Sequence, residues 1–190
     1  GTLLVAERAD DGDYVWVNSN GTLSGTDYTN NLTFSRIRYQ KGAVLSHYAG
    51  DTFYMSEYVH AAGTTWMVRD VQPSIDFVNR RLLIGCRTTD MRHNVIYDLD
   101  AVLALGKETV EITRTWGGET AAEGVTEKKT ETTSVEVRNL NRLTPLGSFR
   151  LPSYLNTGQT HQVYSYSHQG QAVWGDYVYW YEGQAIQQTG

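Results

Sequence analysis

An all-β fold is predicted by three features of the sequence. Short runs rich in Val, Ile, Thr, Tyr and Trp are broken by Gly, Asn and Asp, the aromatics are skewed toward Tyr and Trp, and a turn followed by an apolar strand recurs imperfectly along the chain. There are 13 Tyr and 5 Trp against 4 Phe, and 18 Gly against 3 Pro. Tyr and Trp join an apolar ring to a polar tip, which suits strands with one packed face and also suits binding surfaces.

The repeat is the most informative of the three. Gly12-Asp13-Tyr14-Val15-Trp16-Val17 returns as Gly175-Asp176-Tyr177-Val178-Tyr179-Trp180, and a looser copy runs from Gly50-Asp51 to Glu57. Asn79-Arg80-Arg81-Leu82-Leu83-Ile84 reads as a fourth copy, with Asn replacing Gly in the turn. A Gly-Asp turn is physically sensible before a strand, because Gly accepts left-handed backbone and Asp bonds the local backbone. With one further unit hidden in the long gap between Asn79 and Gly175, the mean spacing is about 41 residues, near the repeat length of propeller blades. The fold expected is therefore β-propeller-like, with about four to five short antiparallel blades of unequal size, in one domain spanning 1–190.

Asn20-Gly21 is the strongest single hairpin-turn signal, since both central positions of a type I′ turn need positive φ. One short helix or turn is expected over Asp98–Leu105, with Gly106 as its stop. Residues 117–142 begin with Gly-Gly and crowd Glu, Thr and Lys around Glu127–Thr133, so they read as a polar insertion, either a solvated loop or a long exposed hairpin.

Composition narrows the function. The 21 acidic and 16 basic residues give a formal charge of −5, so no global basic field exists for a nucleic-acid backbone. The single cysteine, Cys86, excludes an intramolecular disulfide framework, and its apolar strand marks it as a buried thiol rather than a nucleophile. No apolar run reaches the roughly 18 residues of a membrane-spanning helix. His47, His60, His93, His161 and His168 show no zinc spacing, and neither a nucleophile elbow nor a phosphate loop occurs. Asp10, Asp11 and Asp13 read first as a solvated hairpin turn, with a calcium site as the lesser alternative; otherwise no cofactor is expected.

Binding has better material. Tyr54 to His60 and Thr64 to Asp70 set aromatic rings beside planar polar groups, as sugar recognition requires: a ring for the apolar sugar face, and fixed donors and acceptors for its hydroxyls. Glu57, Tyr58, His60, Trp66 and Arg69 are the candidates there. His168 and Gln169 join them, because in a propeller the approach to an innermost strand opens at the central channel, and Asp70-Val71-Gln72-Pro73-Ser74 is expected to open beside it. A glycosidase would draw its two carboxylates from distant loops and leave no local motif; Glu57, Asp70, Asp76 and Glu182 are those to test. In the last copy, alternation puts Tyr177, Tyr179 and Tyr181 on one face and Val178 and Trp180 on the other, and one of these sets has to pack.

The stretch Ser167–Gly183, with its Gln169-Gly170 pair, Gly175-Asp176 turn and repeated Tyr, resembles a recurring element of the helveticin J-like, class III bacteriocin-like family. Phe77–Ile84 followed by Asn94–Asp100 is similar to blades of that family in which a Tyr-Asp-Leu strand closes the series. Together the two cover roughly a third of the chain. The resemblance implies a five-bladed-propeller-like fold and a secreted protein. At 190 residues the chain is short for a full set of blades, so an incomplete ring or part of a longer polypeptide with further blades is expected. The function expected is extracellular recognition of a bacterial glycan or cell-wall polymer, as an antibacterial component. The alternatives are a propeller glycan hydrolase, and a structural subunit of a phage-tail or surface assembly with protein partners.

Overall fold

The computed structural model describes residues 3–19, 31–44, 50–60, 63–68, 70–88, 92–116, 129–151 and 167–183. Asn20-Gly21 lies outside the described residues. The chain opens with a four-stranded antiparallel meander: β1 (Leu3–Ala9), β2 (Gly12–Ser19), β3 (Thr33–Arg38) and β4 (Asp51–Tyr54). Alternation turns Trp16, Phe34 and Phe53 to one face, where all three are fully buried. Their rings stack, with centroids 5.0 Å apart for Phe34–Phe53 and 5.3 Å for Trp16–Phe53. At the margin of this stack, Arg36 grips the buried Glu7 carboxylate with two hydrogen bonds of 2.7 and 3.0 Å, and Trp16 Nε1 donates to the same group at 2.8 Å. The ion pair thus satisfies the one polar atom of the Trp16 ring. The opposite face of the meander carries buried hydroxyls, Ser19, Thr33, Ser35 and Thr52, hydrogen-bonded to one another across the strands.

A short hairpin follows, β5 (Glu57–Val59) and β6 (Thr65–Met67), and then three antiparallel strands, β7 (Asp70–Asp76), β8 (Arg81–Arg87) and β9 (Arg92–Asp98). The expected helix forms as α1 (Leu99–Ala104), because Asp98 caps it by accepting from the Ala101 amide at 2.9 Å, while Leu99 and Val102 enter the core. Residues 107–116 and 129–139 form a long antiparallel hairpin, β10 (Lys107–Trp116) and β11 (Lys129–Asn139). β11 runs parallel beside β4 and so extends the first sheet to six strands. After a 3-10 turn at Leu140–Arg142, β12 (Gly147–Leu151) joins β9 and completes a second sheet in the order β12-β9-β8-β7. A final hairpin, β13 (Ser167–Trp174) and β14 (Tyr177–Gly183), forms a separate two-stranded sheet.

The sheets lie in layers. Val71, Leu82, Ile84, Cys86, Val95 and Tyr97 from one face of the second sheet join Trp16, Phe34 and Phe53 of the first in a single core. On the far face Leu83 is buried as well, and β13 packs there, with Gln171 Nε2 donating to the Gln72 carbonyl at 3.0 Å. A strand buried on both faces reads as a continuous apolar run, which is why Leu82-Leu83-Ile84 lacks alternation. Gly85 seats the Gln171 amide at this junction, since a Cβ there would occupy that space and push the Gln171 side chain aside. Asp76 ties the two hairpin ends together: its carboxylate accepts from the amides of Val78 and Asn79, both at 3.0 Å, from Asn79 Nδ2 at 2.6 Å, and from the Gly175 amide at 2.7 Å.

The protein is therefore all-β, built of open sheets with one short helix among the described residues. Each of the four repeat copies leads into the returning strand of an antiparallel pair: β2, β4, β8 and β14. Gly50 needs its glycine, since φ is 82° and a Cβ would collide with the Arg36 carbonyl. In the fourth copy the sequence places the special backbone one residue early. Arg80, not Asn79, has positive φ, at 54°, while the Asn79 side chain is engaged with Asp76. Asp70–Ser74 and Ser167–Gly170 are strand rather than approach loops, and they belong to packed neighbours, β7 and β13.

Candidate functional site

The β5–β6 hairpin sets Tyr58 directly opposite Trp66, so both rings project from its inner face while Glu57 and Met67 occupy the outer one. Asn141, in the 3-10 turn, holds the hairpin's entry: its Oδ1 accepts from the Ser56 and Glu57 amides at 3.0 and 3.3 Å, and its Nδ2 donates to Ser56 Oγ at 2.8 Å. The inner face meets the edge of the second sheet, where register puts His93 of β9 beside Arg150 of β12 on one side and Cys86 of β8 on the other.

Two tiers result. In the buried tier, Tyr58 hydrogen-bonds His93 Nδ1, and His93 Nε2 lies 3.4 Å from Thr88 Oγ1. Burial pushes the Tyr58 hydroxyl up to about 12, so it keeps its proton and donates. Burial, reinforced by the charge of Arg150 and by His60, lowers the His93 pKa and holds the ring neutral. His93 thus accepts at Nδ1 and donates from Nε2. In the accessible tier, the half-buried Trp66 stands edge-on to His93, with centroids 5.0 Å apart, and the Arg150 guanidinium lies 5.4 Å from the Trp66 ring centre. His60 Nδ1 and Ser148 Oγ are 2.6 Å apart beside them. A ring, a hydroxyl, an imidazole and a guanidinium above a buried, hydrogen-bonded base can stack on a polar cyclic ligand and bond its periphery.

Of the residues the sequence singles out, Tyr58, His60 and Trp66 come together, with Tyr58 as buried support beneath the other two. Glu57 lies on the opposite face of the hairpin. Arg69 lies outside the described residues, as do the side chains of His168 and Gln169, whose strand β13 packs across the second sheet from Trp66. His93, Thr88, Ser148 and Arg150 escape sequence reasoning. Alternation with Val95 and Tyr97 marks His93 as core-facing, but nothing local shows that β12 will pair with β9.

Asp76 is occupied by the four hydrogen bonds that join the hairpin ends. Burial alone would raise its pKa, and the amides of Asn79, Gly175 and Val78 outweigh that and lower it. Asp70 is raised by burial against the pull of Arg92 and Arg87. The two stand at opposite ends of a seven-residue strand, roughly 20 Å apart by strand geometry, whereas the carboxyls of a glycosidase lie within about 10 Å. Glu182 has its side chain outside the described residues. At the opening turn, Asp11 accepts from the Tyr14 hydroxyl at 2.6 Å and Asp13 from Arg8 Nε at 3.3 Å. Among the described residues no three His, Cys, Asp or Glu side chains group as metal ligands. Cys86 is fully buried, and burial pushes its thiol up to about 12, far from a reactive thiolate. No helix among the described residues is long and apolar enough to cross a membrane.

No protein-family description matches the chain, and no curated protein or solved structure does so either.

Proposed function

We propose that this protein recognises a bacterial glycan or cell-wall polymer without cleaving it, as a secreted binding component of helveticin J type, and that Trp66 is the centre of recognition. The observation that carries the reading is the accessible tier: the Trp66 ring flanked by Arg150, His60 and Ser148 and fixed from beneath by the neutral Tyr58–His93 pair. A ring half-buried against the core and against His93 has little freedom left to lose when a sugar stacks on it, and three differently placed polar groups beside it favour a hydroxyl-rich ligand over an apolar one. A blade-like reading of the fold is supported by the antiparallel meander β1–β4, which is part of the six-stranded first sheet, and by the four-stranded sheet β7-β8-β9-β12; the two share one core, with β13–β14 stacked on the far side of the second sheet as successive blades stack.

The test is retention on purified bacterial cell walls together with a glycan array. Wild-type protein is expected to be retained and Trp66→Ala to lose at least about tenfold in affinity, the scale of one stacking ring. Equal behaviour of the two proteins would sink the assignment.

A further inference from the structure

The β13–β14 hairpin packs by Val173 and Gln171, and its other face is turned to solvent. On that face register aligns Trp174 with Tyr177, Ala172 with Tyr179 and Gly170 with Tyr181. The four rings are 54%, 70%, 56% and 69% exposed for Trp174, Tyr177, Tyr179 and Tyr181. One exposed ring on a strand is ordinary, but four contiguous rings on one side of a hairpin are not.

We infer that this face is a stacking platform for a neutral oligosaccharide chain, a second surface distinct from the Trp66 site. Three properties single out that occupant. The outward strand positions, Gly170, Ala172, Trp174, Tyr177, Tyr179 and Tyr181, carry no charge, and the one charge beside them is Asp176 at the hairpin tip, too little to recruit a strongly basic partner along the stripe. The three tyrosines stand every second residue along one strand, a stripe of about 14 Å, matching an extended chain of several sugar rings rather than a single one. The rings expose on the order of 500 Å² together, short of the roughly 800 Å² per partner of a stable protein interface. Ala172 and Gly170, opposite Tyr179 and Tyr181, leave the stripe open on its flank, and each Tyr hydroxyl can bond a sugar hydroxyl while its ring takes the apolar sugar face. The inference shares the ligand class of the function proposed above, but it does not depend on the Trp66 site.

The experiment is calorimetric titration of the full chain with tetra-N-acetylchitotetraose and with cellotetraose, alongside sedimentation velocity. Saturable binding of at least one tetrasaccharide is expected, weakened about three- to tenfold by Tyr179→Ala and by Trp174→Ala and unchanged by Trp66→Ala. Near-UV circular dichroism is expected to show both platform variants folded, since the rings removed are exposed. Binding of neither tetrasaccharide, or binding that both platform variants leave intact, overturns the inference. A wild-type dimer that Tyr179→Ala converts to monomer overturns it too, by making the face a protein interface. Loss of tetrasaccharide binding in Trp66→Ala with the platform variants unaffected refutes the platform and leaves the Trp66 site standing; the converse pattern is the one expected, and the Trp66 site then stands or falls by its own cell-wall and glycan-array test.

Discussion

Two aromatic groups in this molecule arise from the same strand alternation and meet opposite fates. Trp16, Phe34 and Phe53 stack face to face in the dry centre of the layered core, whereas Trp174, Tyr177, Tyr179 and Tyr181 line up in solvent. The difference shows that periodicity decides which rings share a face but not whether anything covers it. Ring chemistry tracks the outcome. The buried group uses Phe, with no polar tip, and one Trp whose N–H is matched by Glu7, while the exposed group is mostly Tyr, whose hydroxyls are content in water.

The sharpest way to break this comparison is Phe53→Ala. It should cost about 3–5 kcal/mol in urea unfolding, because the stack and the neighbouring core cannot collapse fully into the space left. A cost below about 1 kcal/mol would mean that the first core is not close-packed. Asp76→Asn tests instead the anchor that holds the exposed group to the rest. Losing a charged acceptor of two backbone amides and the Gly175 amide should cost roughly 2 kcal/mol at pH 7. The pH dependence has a definite sign. The folded-state pKa of Asp76 is lowered, so its stabilisation is complete above the unfolded value near pH 4 and is lost as pH falls through the folded one. The gap between wild type and Asp76→Asn should therefore narrow below about pH 4, and a constant gap would refute the anchor. The smallest effect is expected for Tyr179→Ala, within about 0.5 kcal/mol by urea unfolding. A larger loss would show that the outward ring packs against something in solution.

Local chemistry made much of the fold legible. Asp98 before an apolar run and Gly106 after it marked the only helix among the described residues, and Gly12, Gly50 and Gly175 announced strands because turns need backbone that few other residues adopt. What sequence reading missed is long-range. The parallel contact of β11 with β4, the pairing of β12 with β9, the Glu7–Arg36 ion pair and the seating of Gln171 over Gly85 each join residues whose partners no periodicity can identify. The site shares that limit. Trp66 and His60 were visible as aromatic and polar groups near one another in the chain, but Ser148 and Arg150 reach them only through the β9–β12 pairing.

β8 has a consequence for how the layers influence each other. Leu82 and Leu83 point in opposite directions and are equally dry, so a side chain altered on either side has no solvent into which to relax. Substitutions in the first core and beneath the last hairpin, though made in separate layers, should therefore be energetically coupled through this one strand, and their costs should not simply add.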